Sequence, residues 1–174
     1  NISYVNGKLT VVEPYLTVMA NSYSRVYGDA NPDFGYTVTG GVLYGTPTIT
    51  CDATATSPVG TYTITIAQGD VTSSQVTYVN GILTITKAPL TIKAGVYTRN
   101  QGEDNPTFTP TYEGFKNSEN ADVLDGKPSM TCLATKDSPV GEYDIIVSGA
   151  WDDNYEISYV NGKLTITPIV FESG

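Results

Sequence analysis

Histidine is absent from the 174 residues, which removes the commonest general base and the commonest neutral metal ligand together. Positive charge is scarce as well: nine Lys and Arg stand against eighteen Asp and Glu, a formal net charge of −9. A chain this acidic lacks the clustered cations that grip phosphate backbones or anionic lipid, so neither nucleic acid nor a membrane surface is an expected partner. No run of about 18 apolar residues is present to insert in a bilayer, and the first residues lack the basic and apolar stretches of an export signal. Any signal or anchor is expected outside this sequence. Catalysis, if there were any, would fall to carboxylates, Lys, Tyr or Cys.

What is present favours strands. Hydrophobic residues make up 40% and charged ones only 16%, with 17 Gly, 10 Pro and 13 Tyr, a mixture suited to pleated strands joined by tight turns. The length alone allows one domain or two small ones, and an internal repeat decides for two. Leu16-Thr-Val-Met-Ala-Asn-Ser-Tyr23-Ser-Arg25 aligns with Leu90-Thr-Ile-Lys-Ala-Gly-Val-Tyr97-Thr-Arg99. Gly28, Asn31, Pro32 and Phe34 recur as Gly102, Asn105, Pro106 and Phe108, and Ser57-Pro58-Val59-Gly60-Thr-Tyr62 recurs as Ser138-Pro139-Val140-Gly141-Glu-Tyr143. The second copy is longer by seven residues, inserted between Gly114 and Gly126, where Ser118 is placed to cap one short helical turn.

One phrase occurs three times: Tyr4-Val-Asn-Gly-Lys-Leu-Thr10, Tyr78-Val-Asn-Gly-Ile-Leu-Thr84 and Tyr159-Val-Asn-Gly-Lys-Leu-Thr165. Asn-Gly between alternating runs is the strongest short hairpin signal, so closing hairpins with type I′ turns are expected at about 74–86 and 155–167. Residues 1–14 then read as the closing hairpin of a preceding repeat, expected to pair with this chain or a neighbouring one. Residues 15–88 form the first repeat domain, 89–168 the second, and 169–174 a C-terminal tail. Alternation places Tyr62, Ile64 and Ile66 on one face of a strand, and Tyr143, Ile145 and Val147 on its counterpart. Glu13-Pro14-Tyr15 and Lys87-Ala88-Pro89 are all that separate one closing strand from the next opening one. Such proline-bearing junctions suit a stiff rod, in which neighbouring repeats support one another.

Candidate chemistry is sparse. Cys51 and Cys132 hold equivalent places, and Ile49, Cys51 and Ala53 share a face, as do Met130, Cys132 and Ala134, which reads as buried structural thiols. Equivalent points in successive domains should lie roughly 30 Å apart, too far for a disulfide, whose Cα atoms approach within about 7 Å. Gly28-Asp29-Ala30-Asn31-Pro32-Asp33 and Gly102-Glu103-Asp104-Asn105-Pro106 combine carboxylates with Asn in a way that suits calcium, without EF-hand spacing; Asx-turn chemistry is the competing explanation. Asp152, Asp153 and Asn154 make a further oxygen cluster confined to the second copy. No cofactor is expected, calcium being the one ion with donors to receive it. Trp151, which has no aromatic counterpart in the first copy, is the residue expected to contact a ligand if a binding surface exists. Most of the tyrosines recur between copies and read as packing. A glycosidase-like carboxylate pair would need two acids of unlike environment in one cleft.

These phrases resemble the MBG domain of YGX type, found in tandem in large bacterial surface proteins and candidate adhesins. The residues that carry the resemblance are Val26-Tyr27-Gly28-Asp29-Ala30-Asn31-Pro32, Ser57-Pro-Val-Gly-Thr-Tyr62 and Tyr78-Val-Asn-Gly-Ile-Leu-Thr-Ile85. The second copy departs from the name-giving phrase, with Gln101 in place of Tyr27. The resemblance implies an extracellular location on a bacterial cell surface and a role as a spacer or stalk of an adhesin, with no catalytic residues. The alternative is a module that itself contacts host glycoprotein or carbohydrate through Trp151 and the Asn117–Asp125 segment. The expected fold is mostly β, as tandem small β-grasp-like domains with little helix, with immunoglobulin-like β-sandwiches as the alternative. Two facing sheets per repeat would favour the sandwich, and one principal sheet crossed by another element the grasp.

Overall fold

The structure, a computed structural model, describes residues 1–171, so the expected tail at 169–174 lies partly outside the described residues. The first family of strands comprises β1 (Leu16–Ala20), β2 (Tyr23–Val26), β3 (Tyr36–Thr39), β4 (Thr48–Thr50), β5 (Gly60–Ala67), β6 (Val76–Val79) and β7 (Gly81–Thr86). The second comprises β8 (Ala88–Lys93), β9 (Val96–Asn100), β10 (Thr111–Glu113), β11 (Ser129–Cys132), β12 (Gly141–Ser148), β13 (Tyr155–Val160) and β14 (Gly162–Thr167). Helix is limited, among the described residues, to one 3-10 turn at Ala121–Val123. The protein is therefore mostly β, as its composition predicts, and built from two repeated β units, as its internal repeat predicts.

Each repeat divides its strands between a three-stranded and a four-stranded sheet, in the same order both times: β3-β1-β6 with β2-β7-β5-β4, then β10-β8-β13 with β11-β12-β14-β9. In the second repeat β8 pairs antiparallel with β10 and parallel with β13, while β14 pairs antiparallel with β12 and parallel with β9. With no helix longer than that turn among the described residues, the apolar faces of the sheets are left to cover one another. Alternation on the strands sets those faces. In β5 and β12 the burial follows a period of two, so that Ile64, Ile66, Ile145 and Val147 are buried, with Tyr62 and Tyr143 half-buried at the strand entry. Val18, Leu83 and Ile85 in the first repeat, and Leu90, Ile92, Leu164 and Ile166 in the second, complete the cores.

The expected Asn-Gly hairpins are not hairpins. None of Asn80, Gly81, Asn161 and Gly162 has the positive φ that a type I′ turn demands. The strands flanking each dipeptide belong to different sheets: β6 lies beside β1 while β7 lies between β2 and β5, and β13 lies beside β8 while β14 lies between β9 and β12. The phrase is thus one long strand that bends at a corner and passes from one sheet into the other. The dipeptide serves the corner in two ways. Asn80 Oδ1 accepts a hydrogen bond from Ile66 N–H at 3.0 Å, and Asn161 Oδ1 does the same for Val147 N–H at 3.2 Å, so the amide replaces a ladder bond that the bend interrupts. Glycine follows because the opening strand bends at the same place. A Cβ on Gly81 would sit 2.5 Å from Asn21 O, and one on Gly162 only 1.8 Å from Gly95 O.

Two further expectations need correction. Residues 1–13 form no strand with this chain and are exposed, so the pairing expected for them within it is not found; Glu13 O accepts a hydrogen bond from Gln75 Nε2 at 3.0 Å. The 3-10 turn in the inserted segment is capped by Asn120, whose side chain accepts from Asp122 N–H at 2.8 Å, and not by Ser118, which has a left-handed φ of 59°. An Asx side chain two residues back reaches the free N–H directly, which makes Asn120 the better cap.

The corner yields a graded test within one repeated phrase. Gly162→Ala and Gly81→Ala should each lower stability by about 1–3 kcal/mol through overpacking against backbone, whereas Gly7, with nothing within 4 Å of its would-be Cβ, should tolerate alanine without a measurable change in urea midpoint. Equal effects at all three positions would show that the corner geometry is wrong.

Candidate functional site

By its contacts the chain forms two compact units. One gathers residues 1–24, 31–53 and 61–84, and the other gathers 25–30, 54–60 and 85–174. The second unit therefore contains the Tyr27-Gly28 loop and the Ser57-Pro-Val-Gly60 turn, both contributed by the first sequence repeat.

Two polar arrangements recur and account for the motifs with calcium-like composition. Arg99, only 5% exposed, lies in β9 and directs its guanidinium into the loop that follows β11: Nη2 donates to Thr135 O at 2.6 Å, Nη1 to Asn100 O at 3.0 Å and Nε to Asn105 Oδ1 at 2.8 Å. Asn105 in turn donates to Ala134 O at 2.7 Å. Arg25, 7% exposed, donates to Thr54 O and Val26 O in the same way, and Asn31 donates to Ala53 O at 2.6 Å. The recurrent asparagines thus face a guanidinium or a carbonyl. Nearby, Glu103 accepts from Asn100 N–H at 3.0 Å, a bond that holds its carboxyl below the ordinary range, helped by the Asn100 side-chain amide. The carboxylates flanking the motif are dispersed, and among the described residues no group of three Cys, Asp or Glu is gathered closely enough to hold a metal ion.

Trp151, Asp152, Asp153 and Asn154 take four different roles. Trp151 is 57% exposed and forms a bridge with Gly126, exchanging N–H to O bonds of 3.0 and 3.1 Å. Its indole lies so close over Gly126 that a Cβ there would come within 2.1 Å of it. Asp152 is buried, its carboxylate accepting from Asn154 N–H at 2.7 Å and its carbonyl from Lys87 Nζ at 2.9 Å. Asn154 Oδ1 accepts from Val59 N–H at 3.0 Å, and Asp153 is exposed. Cys51 and Cys132 are half-buried free thiols. Glu142 and Asp144, which line one surface hollow, are both exposed on β12, with Asp144 ion-paired to Lys163 at 2.9 Å.

A further cluster gathers residues that the sequence patterns do not bring together. In the second unit Tyr27, buried, donates its hydroxyl to Glu119 Oε1 at 2.6 Å, and Tyr155 donates to the other oxygen of the same carboxylate. The two rings meet edge to face at 5.6 Å, and Phe115 meets Tyr155 at 5.4 Å. Lys116 N–H donates to the Tyr155 hydroxyl at 2.9 Å, and Lys116 Nζ pairs with Asp29 at 2.9 Å. Gly28, with φ of +82°, admits the Lys116 stem where a Cβ would collide at 2.3 Å. The inserted segment thus builds a clamp around Tyr-Gly. The sequence signal was available, since Tyr27 and the insertion each occur in one copy only.

Burial, then the bond to Glu119, raises the Tyr27 phenol above its ordinary pKa, and the same causes raise Tyr155 further. A folded-state pKa above the unfolded value of about 10 means that the folded form holds its protons more tightly at high pH, so stability is full below pH 10 and falls as pH rises above it. Thermal unfolding followed from pH 8 to 11.5 should show that loss, and a Tyr27→Phe, Tyr155→Phe double variant should flatten it. Separately, Arg99→Met should cost about 2–3 kcal/mol, because it leaves buried carbonyl and amide oxygens without donors; a urea midpoint unchanged by the substitution would remove the arginine from the fold's support.

The MBG domain (YGX type) family model matches residues 16–84 and again residues 90–165. No curated protein matches the chain.

Proposed function

The chain belongs to the MBG domain (YGX type) family, with two copies in tandem, and from that membership we propose that it is a non-catalytic spacer, part of the stalk that holds the binding end of a bacterial adhesin away from the cell. The family is typical of surface-associated repeat proteins and is not known as an enzyme family. An extracellular location on the cell surface follows from this reading and agrees with the acidic composition.

The observation that carries it is the use to which the recurrent polar residues are put. Arg25 and Arg99, Asn31 and Asn105, and Asn80 and Asn161 all bond to backbone or side chains of their own repeat. What the copies share is spent on holding sheets and loops together, as expected where the selected property is the repeat itself. Under this reading the partners are neighbouring repeats of the same chain, and neither a cofactor nor calcium is needed for the fold.

Small-angle scattering with and without calcium tests the proposal: an elongated particle whose maximum dimension is the same in both conditions is expected, and a compact particle would overturn the stalk.

The exposed indole of Trp151 favours a second reading, contact with host glycoprotein or carbohydrate, since an aromatic face with a polar edge is suited to stacking on sugar rings. In that case Trp151→Ala should abolish glycan-array signal without shifting the melting temperature by more than about 2 °C, whereas no signal in the parent chain would dismiss it.

A further inference from the structure

We propose that the surface hollow beside β1 in the first repeat is a docking site for the Tyr-Gly-Asp loop of another copy of this repeat placed directly upstream. The inference rests on the tandem-array reading and specifies how one copy would engage the next.

The hollow has a volume of about 370 Å³ and is lined by Glu13, Pro14, Val42, Tyr44, Ser73 and Ser74, among others. Aligning the repeats shows what its counterpart does. Val42 corresponds to Lys116, Ser73 to Asn154 and Ser74 to Tyr155. In the second unit these three residues hold the loop and turn that come from the first repeat: Lys116 against Gly28 and Asp29, Asn154 on Val59 N–H, and Tyr155 against the ring of Tyr27. The same place in the fold is therefore filled in one copy and open in the other.

Four further observations agree. Tyr155 and Ala88 are buried in the second unit, whereas Val42 and Tyr44 are each 67% exposed in the first, an apolar surface in the position where the second copy has its clamp. The hollow is open because Ser74 stands where Tyr155 fills space and because the seven-residue insertion is missing, so room for an incoming ring is built in. Glu13 is the acid among the lining residues, and a carboxylate is the group with which Glu119 holds the Tyr27 phenol. The linker also has the same reach. Thr10 precedes Leu16 by as many residues as Thr84 precedes Leu90, so an upstream copy closing through Tyr4–Thr10 would be delivered to β1 along a path of equal length.

The test uses a chain with an added copy of residues 16–77 placed ahead of Tyr4, so that the added copy closes through Tyr4–Thr10 and keeps the natural linker. Amide hydrogen exchange at residues 42–45 and 72–75 should slow by about tenfold or more relative to the parent chain. The slowing should disappear when Tyr27→Ala is made in the added copy alone, and also when Val42→Asp is made on the exposed acceptor wall, where folding is not at stake. No slowing, or slowing that survives both changes, would overturn the proposal. The stalk reading fails on particle length and this one on exchange at two defined segments, so each is refuted without the other.

Discussion

Everything in each repeat turns on two bent strands that touch at their bends. The opening pair β8–β9 and the closing pair β13–β14 each contribute to both sheets, and each sheet contains one parallel pairing between them. Gly162 meets the carbonyl of Gly95 at the crossing, and Gly81 meets those of Ala20 and Asn21 in the first copy. If the backbones could not approach so closely, one sheet would lose its parallel partner and the apolar faces of both would lie open, since the described residues hold no helix beyond one 3-10 turn to cover them. A domain of this size buries only a modest fraction of its surface, so a single lost contact surface would be a large part of its stability. The glycine is retained for want of a Cβ and not for its conformational freedom.

That distinction explains which parts of the fold were legible. Period-two alternation in Tyr62-Thr-Ile64-Thr-Ile66 names a face correctly because it depends only on local geometry. Asn-Gly between alternating runs gives the same local signal whether the chain reverses or merely bends, and what separates the cases is a parallel partner some sixty residues away, Leu16–Met19 for Val76–Val79. No pattern within the phrase records that partner. Alternation places the cysteine faces, but β11, which ends at Cys132, and β4, which ends one residue before Cys51, lie at sheet edges, and the thiols are half-buried where full burial is expected. Arg25 and Arg99 stood in plain view at equivalent positions. The loops' asparagines answer to these cations and carbonyls, while the carboxylates beside them suggest a metal that the fold does not need to explain the motif.

A buried guanidinium is costly unless its donors are matched, and here the match is made by carbonyl and amide oxygens at fixed angles. Arg99 ties the end of β9 and the nearby Asn105 loop to the segment after β11, 36 residues further along the chain. Lysine would carry the charge but not the fork that reaches three separate oxygens. The knot therefore does for the loops what the glycine corner does for the strands, and its repetition with nearly the same distances in both copies explains why Arg and Asn recur where acidic positions drift.

Differences between the copies carry information of another kind. Cores and corners are shared, while Tyr27 becomes Gln101, Ser74 becomes Tyr155, and seven residues are added in the second copy alone. Each of these differences maps to the Tyr-Gly loop or to the clamp that receives it. A glutamine can neither fill an aromatic pocket nor meet Tyr155 edge to face, so the second copy lacks the ring with which the first engages Glu119 and Tyr155. Successive copies are consequently not interchangeable even though their folds are. Under the docking proposed above, two copies that share a topology but differ in donor ring and acceptor pocket distinguish one neighbour from another by the same contacts that bind them, and a handful of substitutions outside the core would then fix the order of the members of an array.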